Sequence, residues 1–345
     1  MNEKSLNILS VYDFDVYKTS RGRGGMVLNT SNGMKMLYEC NKSVSRYELE
    51  NSVTQELVRN GFFNVDSCYK NMQGSLISES EDGRKYIVKN WFDARECDMK
   101  SQMDICDSIK VLAALHNKMN EICSEYEHTS SEENLMIAAE LPEKSVYELE
   151  PADMSANFDR HTRELKMIHN YLKNKKKRNE FERIARDNFE PFYREAVKTC
   201  QNIKELSQDE EYKREYQKLK LCHGSFNYHN VLFTNRGPAI INFDRCRNDF
   251  QINDLYQFMR KILEKNEWNI ELAYLMIDQY DKVKPVSRLD LKILSLLFTY
   301  PEKFWKIVNY YFNSNKSWIP RKSIEKLDMV LSQNDKREKF VDTIA

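Results

Sequence analysis

The sequence has little glycine: nine residues in 345, against a usual share of about 7%. Loops that demand several left-handed positions are therefore few. It lacks a surplus of either charge, since 53 Lys and Arg face 53 Asp and Glu. Without a basic excess, nucleic acid drops out as an expected partner. It lacks any apolar run near the ~20 residues that a membrane span needs. Its opening residues, MNEKSLNILSVYDFD, do not follow the basic-then-apolar order of an export signal. No membrane association is expected, and synthesis is expected in the cytoplasm. Cysteines at 40, 68, 97, 106, 123, 200, 222 and 246 form no C-x-x-C pair, which removes zinc-ribbon and thioredoxin readings. Cys222, His223, His229 and Cys246 match no zinc-ligand spacing either. Buried free thiols and no metal site are the expectation.

What is abundant is apolar and aromatic. The chain is 41% hydrophobic, with 19 Tyr and 17 Phe, which excludes general disorder. Its length allows about two domains, and its texture changes along the way. Up to residue 92 it reads as short strands around one helix. Met26-Val27-Leu28 follows the glycines of Arg21-Gly22-Arg23-Gly24-Gly25, and Asn32-Gly33 marks a two-residue hairpin turn before a strand from Met34 to Cys40. Leu49, Val53, Leu57 and Val58 give a helix over 45–60. Further strands are expected at 76–79 and 85–91. From 93 to 345 the pattern is mostly helical. It includes a charged helical insertion at about 155–220, whose apolar stripe runs Phe181, Ile184, Ala185, Phe189, Phe192, Ala196, Cys200 and Ile203, with a break near Pro191. The basic run Lys175 to Arg178 is expected on a solvated helix face. The expected fold class is α+β.

The chemistry-bearing segment is His223-Gly224-Ser225-Phe226-Asn227-Tyr228-His229-Asn230, followed across a turn at Asn235-Arg236-Gly237 by Ile241-Asn242-Phe243-Asp244. Phosphotransfer of the kinase type needs a carboxylate to accept the substrate proton, an Asn five residues on for a metal, and an Asp after a hairpin for the Mg²⁺ that bridges the phosphates. The spacing fits that scheme.

From about residue 10 to 340 the chain resembles the CotS-type spore coat proteins of endospore-forming bacteria, kinase-fold proteins similar to aminoglycoside phosphotransferases and choline kinases. Besides the His-Gly-Ser segment, the resemblance rests on the runs from Tyr86 to Cys97, from Leu112 to His116 and from Lys175 to Phe181, and on Pro301 to Lys306 with Asn309-Tyr310-Tyr311. It implies a two-lobed protein-kinase-like fold, with a small antiparallel-sheet lobe over 1–92, a helical lobe over 93–345 and a cleft between them. It also implies localisation to the spore coat, with other coat proteins as partners.

The departures from that family are at its chemical positions. Relatives read His-Gly-Asp where this chain has Ser225, and Ile-Asp-Phe-Asp where it has Asn242. They place a strand lysine where it has Tyr38. His223, Asn230, Asp244 and the helix acid Glu50 still match the motif. Loss of a general base alone costs ~10²–10⁴ in rate, and a neutral Asn is a poor ligand for a hard dication. Asp244 would lie ~6.5–7 Å from residue 242 on a strand, too far for a simple exchange of ligands. Lys35, three residues from Tyr38, would face the other side of its strand. The expectation is a non-catalytic pseudokinase that needs no cofactor. Two alternatives stand beside it: a phosphotransferase using ATP and Mg²⁺ on a hydroxyl of a sugar or amino alcohol, and a ligand-binding module using the interlobe cleft.

Overall fold

Alternating burial along short strands builds the first part of the chain. After a 3-10 turn at Asn7–Val11 come β1 (Val16–Arg21), β2 (Met26–Thr30), β3 (Gly33–Glu39), helix α1 (Val44–Arg59), β4 (Cys68–Tyr69), β5 (Ile77–Glu79) and β6 (Lys85–Asn90). In this computed structural model, which describes residues 7–129, 151–218, 220–314 and 321–344, those strands form one antiparallel sheet ordered β1-β2-β3-β6-β4, with β5 also on β6. Three strands, a helix and then strands follow as read from the sequence, with two differences: the first strand starts at Val16, at the end of the apolar segment 11–17, and β4 is an additional short strand. The β2–β3 turn falls one residue early: Thr30 pairs with Gly33, so Ser31 and Asn32 are the loop, and Gly33 takes the positive φ.

The two faces of the sheet are filled differently. Leu28, Leu37, Tyr86 and Val88 pack with Ile8, Leu9, Tyr12 and Phe14. On the other face Ile87 packs with Tyr47 of α1, Cys68 and Tyr38. The period of two puts Lys89 on the Ile87 face and Lys35 on the Leu37 face.

The chain continues through β7 (Arg95–Glu96), α2 (Gln102–Thr129), α3 (Met154–Asn174), α4 (Glu180–Asp187), α5 (Phe189–Leu206) and α6 (Glu210–Tyr216). Then come β8 (Lys220–Cys222), β9 (Val231–Thr234), β10 (Gly237–Ile240), β11 (Arg247–Asp249) and helices α7 (Ile252–Lys265), α8 (Ile270–Asp281), α9 (Arg288–Thr299), α10 (Glu302–Asn313), α11 (Arg321–Ser332) and α12 (Asn334–Ile344). β9 lies between β10 and β7 in a small antiparallel sheet, and β11 pairs with β8.

Two compact units divide these residues. The first takes Met1–Glu150, Lys220–Phe258 and Gln279–Lys284; the second takes Pro151–Leu219, Met259–Asp278 and Pro285–Ala345. The charged insertion therefore shares a unit with the C-terminal helices. Its stripe is buried at Phe181, Ala185, Phe189, Phe192, Ala196, Cys200 and Ile203. Phe192 stacks on Phe304 of α10 at 4.2 Å, Phe181 stacks on Tyr311 at 4.0 Å, and Phe158 meets Tyr300 edge-on at 4.4 Å. The break comes at Asn188, and Pro191 falls in the first turn of α5, where a missing N–H costs no hydrogen bond. The basic run departs from expectation. α3 ends at Asn174, so Lys175 to Arg178 form a loop, in which the Arg178 guanidinium donates to the Leu172 carbonyl at 2.6 Å and caps the helix.

All eight cysteines are free thiols, six of them buried. No helix among the described residues is long and apolar enough to cross a membrane. Phe304 joins α10 to α5 through Phe189 and Phe192. Phe304→Ala is accordingly expected to lower the unfolding free energy by about 3–5 kcal/mol, read by urea denaturation. A loss below about 1 kcal/mol would show that the insertion does not depend on that aromatic contact.

Candidate functional site

The His223 segment is held by one buried carboxylate. Asp254, at the start of α7, accepts the backbone N–H of His223 at 2.7 Å and of Gly224 at 2.9 Å, and lies 3.2 Å from Nε2 of the buried His116. Burial alone would raise its pKa, but the hydrogen bond and charge of His116, with His223, hold it below the ordinary carboxylate value. Gly224 has φ +76°, and a Cβ there would lie 2.0 Å from the Arg245 carbonyl oxygen. No other residue fits this turn. His223 Nδ1 accepts the Ser225 N–H at 3.2 Å, so Nε2 carries the proton and donates to the Ile241 carbonyl at 3.0 Å. Burial lowers the pKa of this imidazole.

The loop so positioned brings Ser225, Asn230 and Asn242 together. The Ser225 carbonyl accepts from Asn230 Nδ2 at 2.8 Å, and Asn230 Oδ1 accepts from Asn242 Nδ2 at 2.8 Å. Asn242 adopts φ 66°, ψ 62°, a left-handed conformation that Asn and Asp tolerate best among residues with a Cβ. The strand geometry expected for residues 242 and 244 is not found. β10 ends at Ile240, and Phe243–Arg245 form a 3-10 turn. Asp244 is turned toward the basic start of α1: its carboxylate pairs with Lys42, and its carbonyl accepts from Arg46 Nε at 2.5 Å.

Glu50 has a lysine, on the strand expected at 85–91, that sequence reasoning did not single out. Lys89 of β6 lies directly across from Met36 in the β3 ladder. Its Nζ reaches Glu50 Oε1 at 2.5 Å and Asp66 Oδ2 at 3.1 Å, and none of the three side chains is more than 4% exposed. The Asp66 oxygen that meets Lys89 also accepts the Asn242 N–H at 3.0 Å. Tyr38 occupies the expected lysine position as an aromatic filler, 5.6 Å from Lys89 Nζ and edge-on to Trp91 at 6.2 Å. Lys35 is on the opposite face, bonded to the Asn32 carbonyl and stacked 4.6 Å from the Tyr69 ring. The signal for Lys89 was in the sequence: a single cation inside the buried strand Tyr86-Ile87-Val88-Lys89 requires a buried anion.

Burial opposes the Lys89 charge, but Asp66 and Glu50 outweigh it and raise its pKa. Burial also raises Asp66; Lys89 pulls it down and Glu50 pushes it up, to about 6. Glu50 Oε2 and Asp66 Oδ1 have no hydrogen-bond partner, yet the ammonium already balances one of the two anions. This donor set does not fit Mg²⁺. At the positions that the resemblance gives to a metal stand two amides joined by the Asn242 Nδ2–Asn230 Oδ1 bond, and the Asp244, Glu50 and Asp66 carboxylates are bound to lysines. Among the described residues no three His, Cys, Asp or Glu side chains gather around a common point as metal ligands.

The glycine hairpin closes over this region from β1 and β2. Gly22 donates to the Gly25 carbonyl at 3.0 Å. A Cβ on Gly25 would lie 2.5 Å from the Leu37 carbonyl oxygen, so the hairpin rests directly on β3, above the buried Met36 and against the Tyr38 ring. Arg23 at its tip pairs with Glu96 at 3.4 Å, and Glu96 also meets His229 Nδ1 at 2.6 Å.

A family model described as "Spore coat putative kinase YutH" matches residues 157–344. Solved phosphotransferases are similar over nearly the whole chain. An aminoglycoside phosphotransferase from Alicyclobacillus acidocaldarius has a TM-score of 0.78 at 16% identity, covering 98% of this chain and 94% of that one. Spectinomycin phosphotransferase bound to AMP has 0.69 at 14%, covering 97% and 96%. A choline kinase from Streptococcus pneumoniae has 0.51 at 13%, covering 98% and 97%. At such identities the likeness is one of fold, and it bears out the kinase-like architecture expected from the motifs. No curated protein matches the chain in sequence.

Two outcomes follow from the buried triad. Lys89→Met leaves two buried carboxylates without a counter-ion and is expected to cost about 3–5 kcal/mol of stability, measured by chemical denaturation; a neutral result would mean the carboxylates are solvated. The second concerns pH. Asp66 is raised in the folded state from 3.8 to about 6, so the folded chain binds its proton more tightly than the unfolded one. That contribution is present at low pH and is lost as pH rises through about 6. The stability of wild type minus that of Asp66→Asn should therefore grow as pH falls from 7 to 4. A difference that is flat or shrinks on acidification contradicts the assignment.

Proposed function

The chain belongs to the YutH family of spore coat kinase-like proteins, and from that premise we propose that it is a non-catalytic pseudokinase with a structural or assembly role in the endospore coat. Its partners on this reading are other coat proteins, and it needs neither ATP nor Mg²⁺. The observation that carries the reading is the hydrogen bond between Asn242 and Asn230. Where a working site holds anionic oxygen for a dication, two neutral amides satisfy each other. Ser225 supports it, because a hydroxyl does not accept a substrate proton near neutral pH as a carboxylate does.

One feature favours the rival reading, an ATP- and Mg²⁺-dependent phosphotransferase acting on a hydroxyl of a sugar or amino alcohol. That feature is the Lys89–Glu50 pair, because a lysine joined to the helix glutamate is part of the working kinase site. The lysine is 4% exposed and shared with Asp66, so its charge is spent inside the protein and does not reach a phosphate. The charges that orient phosphates in kinases are thus either replaced or internally neutralised.

Purified protein is expected to transfer no phosphate from ATP above background, and to bind ATP weakly with no dependence on Mg²⁺. Calorimetric titration with and without the metal tests the second point. Tight binding that collapses on chelation would overturn the pseudokinase reading and favour the phosphotransferase.

A further inference from the structure

Charge is balanced over the whole chain but not along it. Residues 154–178 hold eight Lys and Arg against two Asp and Glu. Both acids are committed within the same unit. Asp159 pairs with Lys204 at 2.5 Å and Arg163 at 3.5 Å. Glu164 accepts the Trp305 indole N–H at 2.8 Å and meets Arg160 at 3.2 Å. Lys166, Lys173, Lys176 and Lys177 are exposed and make no ion pair among the described residues. α3 sends Leu165, Ile168 and Leu172 into the core, which leaves its opposite face outward. On that face Met167 is 72% and Tyr171 50% exposed, four residues apart and so adjacent. Phe312 meets the Tyr171 ring edge-on at 5.5 Å, extending the apolar spot onto α10.

We propose that this face docks an acidic, apolar-bearing segment of another protein. Its carboxylates would meet Lys176 and Lys177, which follow the end of α3, and an apolar side chain would settle on Met167 and Tyr171; Lys166 and Lys173 stand on the other flank of the helix. Charge complementarity selects the sign of the partner, and the apolar spot selects a protein over other polyanions. Tyr171 is not an open platform for a nucleobase, because Lys175 Nζ lies over its ring at 5.3 Å and Phe312 abuts it. Nor is the face a membrane anchor, since its exposed apolar side chains on α3 are two, against the broad apolar face that interfacial helices bury. No residue here belongs to the Asn230–Asn242 site, so the proposal stands or falls separately from the catalytic reading.

The test uses the full chain and fluorescence anisotropy with a labelled glutamate–tyrosine copolymer. Binding is expected, weakened at least tenfold by the combined Lys176→Glu and Lys177→Glu variant, several-fold by Met167→Ala with Tyr171→Ala, and less by Lys166→Glu with Lys173→Glu on the other flank. It should also weaken between 50 and 300 mM salt, as screened contacts do. Substitution at exposed positions leaves the fold intact, which circular dichroism checks. Three results would overturn the proposal: no binding of the copolymer, binding unchanged in the Lys176→Glu, Lys177→Glu variant, or tighter binding of poly-uridine RNA or phosphatidylglycerol vesicles than of the copolymer.

Discussion

The first unit is organised around one buried ammonium. Lys89 ties β6 to α1 through Glu50 and to the segment before β4 through Asp66. Asp66 then reaches the Asn242 backbone, so the loop after β10 is registered against the same charge. A lone lysine in that position would cost several kcal/mol to bury; two carboxylates make it tolerable and leave the cluster with net negative charge. The cluster fixes geometry more than it adds stability, because replacing such groups with packed apolar ones is often neutral or stabilising.

That arrangement explains how a kinase-like sheet persists without its usual lysine. The helix glutamate needs a cation on the sheet face that α1 covers. β3 and β6 are neighbours in the ladder, and Met36 and Lys89 are direct partners, so a lysine on either strand can serve that face. Moving it to β6 frees the β3 position for Tyr38, whose ring packs beside Tyr47, Cys68 and Ile87. The helix–sheet bond is made from β6, through Lys89 and Glu50.

Much of this was legible in the sequence, and the limits have physical causes. The strand and helix order followed from period-two and period-3.6 patterns, and the His223 loop from its spacing to Asn230 and Asn242. The role of Asp254 was not legible, because a carboxylate that caps backbone amides some thirty residues away (2.7 and 2.9 Å from the N–H groups of His223 and Gly224) leaves no local pattern. Lys175 to Arg178 read as helix on charge and propensity, yet Arg178 folds back on the last carbonyls of α3, a tertiary choice that propensity does not encode. The Asn242–Asp244 spacing was misjudged because a strand was extended four residues past Ile240, through a left-handed position and a 3-10 turn.

The amide pair and the clamp together separate two things that active sites usually combine. Asp254, His223 and Gly224 shape the loop, and they do so with groups buried from solvent. Ser225, Asn230 and Asn242 occupy the positions where chemistry would occur. Changing the shaping residues would strand buried donors; the Asp254 carboxylate satisfies two backbone N–H groups, each costly to leave unpaired. The chemical residues carry no such penalty. An Asn at position 242 removes an anion from a loop whose backbone N–H is already bonded to the Asp66 carboxylate at 3.0 Å. It also supplies a donor for Asn230. In a metal-free site the amide is therefore the more stable choice, and a carboxylate would be favoured only by a cation that repays it. The fold can thus keep the loop in its kinase-like shape while the functional residues relax toward mutual satisfaction.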